Sequence, residues 1–460
     1  MKPFDPKSFR KKRAAVLGMG RSGLDAARLL AKKGFRVLLS DTRPRKELRA
    51  LAKRLPAKAR WEGGGHSDRL LAASFAVKSP GIPSHAPILQ RLRDAGIPIY
   101  SELEIALAYA PACTTVAVTG SNGKSTVACM TAALFKEDKR RVHLLGNIGS
   151  AVSGSAADIR KGDTVVLEVS SYQLEDSAWF KPDAAAILNV TADHLEHHGS
   201  MEAYVAAKAR VFRQQNRGQF CVFNASDPIS LHLARDCGAR KLFFALHPST
   251  RVAAWLDGGK IHLRLPGDPK DSVVIPPKLP GVHNLENAMA AALLAASQGV
   301  KPAVIARGFK KFQGVEHRIE GCGTFRGIAC VNDSKATNVD STLAALRALE
   351  DRGKTLLLIL GGLPKGGGFR ALLGPVEKGV KAVLTIGSAA AKIEEDLQGA
   401  AHFFPCETLE SAVRVGLQIG AKGDTLLLSP ACASFDQFQD FEHRGRRFKE
   451  LAKELGRRKA

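Results

Sequence analysis

The stretch AVTGSNGKSTVACM, residues 117–130, decides how the chain is read. It continues the β-branched run TTVAV, which suits a buried strand, and leads into STVACMTAALFKEDK, whose apolar residues recur at helical spacing. Gly120, Ser121, Asn122 and Gly123 join the two. The glycines allow the backbone to curl with its N–H groups inward, and the helix start adds partial positive charge. Lys124 then suits the terminal phosphates of a nucleotide, and the hydroxyl of Ser125 or Thr126 suits a phosphate-bound Mg²⁺. The spacing departs from the common G-x-x-x-x-G-K-[ST] loop, because Val118 stands where its first glycine belongs. An ordinary strand-to-helix turn with a capping serine is the alternative. Strand, glycines, lysine and hydroxyls together favour a nucleotide site.

Working outward, 460 residues exceed what one hydrophobic core organises, so about three domains of roughly 150 residues each are expected. No apolar run is long enough to span a membrane, and MKPFDPKSFRKKR leads into a strand-like segment and not into a signal-peptide core. A cytoplasmic protein with no membrane insertion is the expectation. Lys and Arg outnumber Asp and Glu by 68 to 44, a net charge of +24 that favours anionic partners. Aromatic residues make up only 6%, with no basic stripe interleaved among them, so the charge reads as solvated surface and steering of a polyanionic small molecule, not as a nucleic-acid site. The eight cysteines form no CxxC pair and read as reduced thiols.

The first segment, RAAVLGMGRSGLDAARLLAKKGFRVLLSDTR, is strand, glycine turn, helix, strand. Gly18, Gly20 and Gly23 satisfy G-x-G-x-x-G, and Asp41 ends the next strand eighteen residues after Gly23. That fingerprint keeps a nicotinamide-dependent dehydrogenase open as a rival. The domain closes at about residue 111. Residues 112–314 alternate β-branched runs with helical patterns around the phosphate-type loop, and residues 315–460 alternate again. The fold class is α/β: a Rossmann-like N-terminal domain, a central P-loop domain with a mostly parallel sheet, and a Rossmann-like C-terminal domain.

Ligands of open α/β sheets bind beyond the carboxyl ends of the strands, so the chemistry is sought in the loops found there. Glu168 ends VVLEV and is either an Mg²⁺ ligand or a solvated strand-end carboxylate. TADHLEHHG brings His194, His197 and His198 together, but without the cysteines or the HExxH spacing of a zinc site. Lys208, on the helix that follows, reads locally as a surface or phosphate-neighbouring lysine. Three further loops, VNDSKATN, LGGLPKGGGF and SPACASFDQFQDFEHRG, carry ligand-type residues at strand ends.

Taken in order, TGSNGKST, LEVSSYQLE, NVTADHLEHHG, AAKARVF, PGVHNLENAMAA, NDSKATN and LSPACASFDQF resemble the Mur ligase family over essentially the whole chain, and within it the members that add D-glutamate. The family's phosphate loop has the shorter T-G-x-N-G-K-[ST] form, which accounts for Val118. The resemblance implies a monomeric ATP- and Mg²⁺-dependent ligase of peptidoglycan precursor synthesis. It would join D-glutamate to UDP-N-acetylmuramoyl-L-alanine through an acyl phosphate.

By the same resemblance, the uridine substrate falls to Arg21, Ser22, Asp41, Thr42, Arg43, Ser79, Gly81 and Asn147. ATP falls to Gly120, Ser121, Asn122, Gly123, Lys124, Ser125, Thr126, Asn284, Asn287, Arg318, Asp333 and Lys335. Lys124, Glu168, His194 and Lys208 carry catalysis. Ser125, Glu168, His194 and a carbamylated Lys208 (N6-carboxylysine) hold the metal, and Thr337, Lys365, Ser434 and Phe441 hold the amino acid. Leu363 and Pro364 stand before Lys365 where many relatives have an acidic residue, so a Mur-type or folylpolyglutamate-type ligase with another acceptor is the nearer alternative.

Overall fold

The computed structural model describes residues 3–9, 13–57, 59–265, 271–350, 353–364, 366 and 368–457, the last without its side chain. The chain divides into two compact units, Met1–Lys278 with His283–Phe312, and Leu279–Val282 with Gln313–Ala460.

The first unit holds two sheets. Strands β1 (Arg13–Leu17), β2 (Arg36–Asp41), β3 (Ala59–Gly63), β4 (Phe75–Lys78) and β5 (Ile99–Ser101) lie in the order β3-β2-β1-β4-β5, all parallel. Gly23, on the helix Arg21–Lys32, lies so close to the first turn that a Cβ there would stand 1.9 Å from the Gly18 carbonyl oxygen. That close approach fixes the helix on the sheet.

The second sheet comprises β6 (Thr114–Thr119), β7 (Val142–Gly146), β8 (Thr164–Glu168), β9 (Ala184–Ile187), β10 (Phe220–Asn224), β11 (Arg240–Ala245), β12 (Ala254–Asp257), β13 (Lys260–Leu263) and β14 (Ser272–Val274). Their order is β14-β13-β12-β11-β10-β9-β6-β8-β7, parallel from β7 through β12, with β13 and β14 antiparallel at one edge. Central β6 is covered on both faces, and burying each of its valines, Val116 and Val118, contributes about 1.5–3 kcal/mol.

No bare linker separates these two sheets. One hydrophobic cluster runs from Phe4 to Ala239, and polar bonds cross the junction. Glu102 Oε1 accepts from Ser153 N at 2.6 Å, Glu104 Oε1 from Trp179 N at 2.6 Å, and Lys78 pairs with Asp176. The sequence, read as three domains, gives no sign that the first two share a core.

The second unit has one sheet: β15 (Glu320–Phe325), β16 (Ile328–Asn332), β17 (Leu356–Gly361), β18 (Val380–Ile386), β19 (His402–Glu407) and β20 (Thr425–Leu428). The order is β15-β16-β20-β17-β18-β19, parallel except for β15. Helix Phe441–Arg457 packs on one face. Among the described residues no helix is long and apolar enough to cross a membrane.

Candidate active site

The loop between β6 and the helix Lys124–Glu137 has the curled form its glycines suggest, with φ of 155° at Gly120 and 83° at Gly123. A Cβ on Gly123 would lie 2.4 Å from Asn287 Oδ1, so a bare backbone is required there. The loop following β9 braces it. Ser121 N donates to the Asn189 carbonyl at 2.9 Å, Ser121 Oγ to the Thr191 carbonyl at 2.9 Å, and Asn122 N to Asn189 Oδ1 at 2.8 Å. Sequence reasoning passed over Asn189 and Thr191. Their signal was a pair of polar residues, alternating with Leu188 and Val190, just past a buried strand. Asn284 accepts from Asn287 Nδ2 at 3.1 Å, and Ser125 and Thr126 open the helix as buried hydroxyls.

Two lysines meet at this loop. Lys124 Nζ donates to the carbonyls of Gly120 (2.8 Å) and Ser121 (2.7 Å), and Lys208 Nζ donates to the same Gly120 oxygen at 2.8 Å. Lys208 is 1% exposed, so of the two local readings the surface lysine falls and the neighbour of the phosphate-type loop stands. Burial holds its pKa well below the ordinary lysine value; the nearby charge of Lys124 acts in the same direction and Asp193 opposes.

Parallel pairing sets Val118 beside Glu168, so the Glu168 carboxylate ends its strand next to the phosphate-type loop. It is buried, and Asn147 Nδ2 donates to its Oε1 at 2.9 Å. Gly146 permits this, since a Cβ there would stand 2.3 Å from the Glu168 carbonyl oxygen. His194 adopts φ 55°, with Nε2 3.4 Å from Asp193 Oδ2 and its ring edge-on to Tyr172. His197 and His198 engage other partners, Glu175 Oε2 at 3.0 Å and Ser171 Oγ at 3.0 Å. Glu175, His197 and His198 bring ligand atoms within 4.8 Å of one another, but the Lys78 ammonium, 3.5 Å from Glu175 Oε2, opposes a dication among them. The donor set nearer the loop, the Ser125 hydroxyl and the Glu168 carboxylate, is oxygen-based and fits Mg²⁺. The Lys208 amine joins such a set only if converted to an oxygen donor.

A cavity of about 920 Å³ opens at the carboxyl ends of the first sheet. All eight residues expected for the uridine substrate, Arg21, Ser22, Asp41, Thr42, Arg43, Ser79, Gly81 and Asn147, line it. So do His66 and Arg91, which sequence reasoning missed because EGGGHSD carries no periodicity or motif. Asp41 is saturated: its Oδ2 accepts from Met19 N (2.7 Å) and Arg43 Nη2 (2.8 Å), and its Oδ1 from Arg43 N and Nε (3.0 Å each). Burial raises its pKa, but these bonds outweigh burial and hold it at about 2. A carboxylate so engaged has little capacity left for the ribose hydroxyls of a dinucleotide, the role a dehydrogenase needs there.

In the second unit three loops cluster. Leu363 and Ala433 exchange two backbone hydrogen bonds of 2.9 Å, joining the loop after β17 to the loop after β20. Arg444, 1% exposed, donates to the carbonyls of Ser334, Cys432 and Ala433 and to Ser334 Oγ, tying in the loop after β16. Asp333 lies in that loop. Burial pushes its pKa up to about 7, although Ser429 Oγ and Ile319 N donate to it and Arg318 lies near. Arg318 Nε is buried with no hydrogen-bond partner among the described residues, as suits a cation that meets an anionic ligand. Lys335 Nζ lies 5.7 Å from the centre of the Phe441 ring, Thr337 N donates to the Lys335 carbonyl, and Ser434 is buried. Lys365 lies outside the described residues.

Comparison with known proteins agrees with this layout. Residues 12–101 match the Mur ligase MurD-like N-terminal domain, 118–295 the Mur ligase middle domain and 317–432 the Mur ligase glutamate ligase domain. The UDP-N-acetylmuramoylalanine--D-glutamate ligase of Elusimicrobium minutum (strain Pei191) is 45% identical over 461 residues, covering 98% of this chain and 100% of that protein. The protein of the same name from Koribacter versatilis (strain Ellin345) is 40% identical over 453 residues, covering 97% and 98%. Among solved structures, the UDP-N-acetylmuramate-alanine ligase MurC from Thermotoga maritima superposes with a TM-score of 0.59 at 19% identity, over 96% of this chain and 99% of that one. A bifunctional folylpolyglutamate synthase/dihydrofolate synthase gives 0.56 at 18% identity, over 75% and 91%. Those structural likenesses bear on the fold alone. With the phosphate-type loop, the lysine beside it, the strand-end cavity and relatives matching end to end, this chain belongs to the Mur ligase family.

Proposed function

We propose that the chain joins D-glutamate to UDP-N-acetylmuramoyl-L-alanine, with ATP converted to ADP and phosphate. One observation carries this reading. The cavity at the first sheet extends to Asn147, which holds Glu168 at the strand next to the phosphate-type loop, so a uridine substrate bound there reaches toward the loop.

The loop backbone and Lys124 bind and neutralise the ATP phosphates during transfer of the terminal phosphoryl group to the substrate carboxylate. The acyl phosphate so formed carries a good leaving group, and the D-glutamate amine displaces phosphate to give the amide. Thr337, Lys365, Ser434 and Phe441 take the amino acid, while Asn284, Asn287, Arg318, Asp333 and Lys335 complete the ATP site. Ser125, Glu168, His194 and Lys208 would hold Mg²⁺, which supplies charge neutralisation at the phosphates when bound. Lys208 enters that set as a carbamate. Its buried amine, neutral enough to add to CO₂, gives R–NH–COO⁻ and a proton, turning a nitrogen cation into an oxygen donor. We take residues 1–111, 112–314 and 315–460 as the working division into uridine, ATP and amino-acid modules, and the cytoplasmic monomer as the working unit.

The test is phosphate release by purified protein with ATP, Mg²⁺ and UDP-N-acetylmuramoyl-L-alanine, comparing D-glutamate with L-glutamate, other amino acids and no acceptor. Release dependent on D-glutamate supports the reading. Release driven by another amino acid moves the acceptor assignment, and none with any acceptor overturns the ligase assignment.

A further inference from the structure

The wall of the uridine-type cavity contains a proton-ordering relay. Glu62, Ser40 and His66 are linked in series: Ser40 Oγ lies 2.8 Å from Glu62 Oε1 and 2.7 Å from His66 Nδ1. Glu62 is a committed acceptor, because Ser67 N (3.0 Å) and Ser67 Oγ (2.6 Å) also donate to it. Burial raises the Glu62 pKa, but these donors outweigh burial and keep it below its usual value. Ser40 has a single hydroxyl proton, and the carboxylate at 2.8 Å takes it ahead of the Gly65 carbonyl at 3.3 Å; either acceptor leaves none for His66. Toward His66, therefore, Ser40 Oγ can only accept, and the proton between them belongs to His66 Nδ1.

Burial holds the His66 pKa below its ordinary value, so the ring is neutral at physiological pH. A neutral imidazole protonated on Nδ1 has a bare lone pair on Nε2. No described residue bonds to Nε2, and His66 lines the cavity. Arg91 Nη1 donates to the His66 carbonyl at 3.2 Å, which ties His66 to the helix Pro87–Asp94. That helix and the turn before it supply the apolar part of the wall: Ile82, Pro83, Pro87 and Ile88. The polar end, with Arg21, Ser22 and Asn147, suits phosphates.

We propose that His66 Nε2 accepts a hydrogen bond from the ring imide N–H of the substrate's uracil, and that the Glu62–Ser40 relay makes it a specificity residue by fixing its tautomer. Uracil presents an N–H at this ring position, whereas cytosine presents a lone pair, which a bare Nε2 repels. The inference rests on the proposed uridine substrate and names the group that reads its base.

The test is titration calorimetry on the full chain, without ATP or amino acid, using UDP, N3-methyl-UDP, 2′-deoxy-UDP and CDP. The expected result is UDP binding about tenfold tighter than N3-methyl-UDP or CDP, with 2′-deoxy-UDP close to UDP. His66→Phe should abolish that preference, while His66→Gln, which keeps an acceptor oxygen, should retain part of it. The ¹⁵N shift of His66 Nε2 should be that of an unprotonated nitrogen in wild type and should change in Ser40→Ala. Equal binding of UDP and N3-methyl-UDP by wild type overturns the proposal, as does a loss confined to 2′-deoxy-UDP. Phosphate release that still depends on D-glutamate would then leave the ligase reading intact. Failure of wild type to bind UDP at all overturns both.

Discussion

Lys124 and Lys208 direct their side-chain nitrogens at one carbonyl oxygen, that of Gly120, each at 2.8 Å. Two full ammonium charges sharing one buried acceptor is a costly arrangement, and it is relieved if one of them gives up its proton. Burial shifts Lys208, the more deeply enclosed of the two, toward that loss.

A neutral Lys208 amine predicts a CO₂ adduct. Protein equilibrated with ¹³C-bicarbonate should show a carbamate carbon resonance that Lys208→Ala lacks. Lys208→Arg should also lack it, since a guanidinium stays protonated. Both variants should lose phosphate release by about two orders of magnitude or more, the scale on which electrostatic groups at a transferring centre act. An active Lys208→Arg enzyme would rule out the carbamate.

Gly123→Ala tests the phosphate-type loop. At φ 83°, with Asn287 Oδ1 2.4 Å from the new Cβ, the loop must open or the helix start must shift. The strain is about 1–3 kcal/mol. ATP binding should weaken by at least about tenfold, while UDP binding, measured separately, should stay unchanged because the cavity does not include this loop. Parallel loss of both would indicate that the variant unfolds the unit.

These two sites differ in how far sequence could reveal them. The phosphate-type loop is local: strand, glycines, lysine and helix are contiguous, and each residue's role follows from its neighbours. Lys208 is not local, because its depth is set by the helix packing beneath a loop 88 residues earlier. Nothing local in SELEIALAY shows what covers Glu102 and Glu104, and both are buried as acceptors for backbone N–H groups of the second sheet's segments, Ser153 and Trp179. Together with one shared apolar cluster, these bonds pack the first two sheets into one compact unit, although residues 12–101 and 118–295 match separate family domains. The eight cavity residues emerged through family resemblance, whereas His66 and Arg91 required the strand ends to be brought together.

Asp333 gives a pH dependence with a definite sign. Its folded pKa of about 7 exceeds the usual 3.8, so between those values the folded state holds a proton that the unfolded state has lost. Stability therefore falls as pH rises from about 4 to about 7, by up to about 4 kcal/mol, and then levels off. Asp333→Asn should flatten that part of the profile in urea unfolding followed across this range. A wild-type profile that rises with pH between 4 and 7 relative to the Asn variant would contradict the burial argument.

Arg444 predicts a separation between the two substrates. Its guanidinium is the common tie between the loop carrying Ser334 and the loop carrying Cys432 to Ser434, and burial lowers its pKa only to about 10, so it remains charged at neutral pH. Replacement by Met leaves the Ser334, Cys432 and Ala433 carbonyls without that donor, and the stability loss should be about 3–5 kcal/mol. Lys keeps the charge but lacks the planar fork that reaches several acceptors, so Arg444→Lys should recover only part of it. In the proposed reaction both loops hold the amino acid, so Arg444→Lys should raise KM for D-glutamate by about tenfold or more. KM for the uridine substrate should remain as in wild type, because that cavity lies wholly in the other unit. Steady-state kinetics with each substrate varied in turn makes the measurement. A rise in the uridine-substrate KM alone would show that this loop cluster does not serve the amino acid.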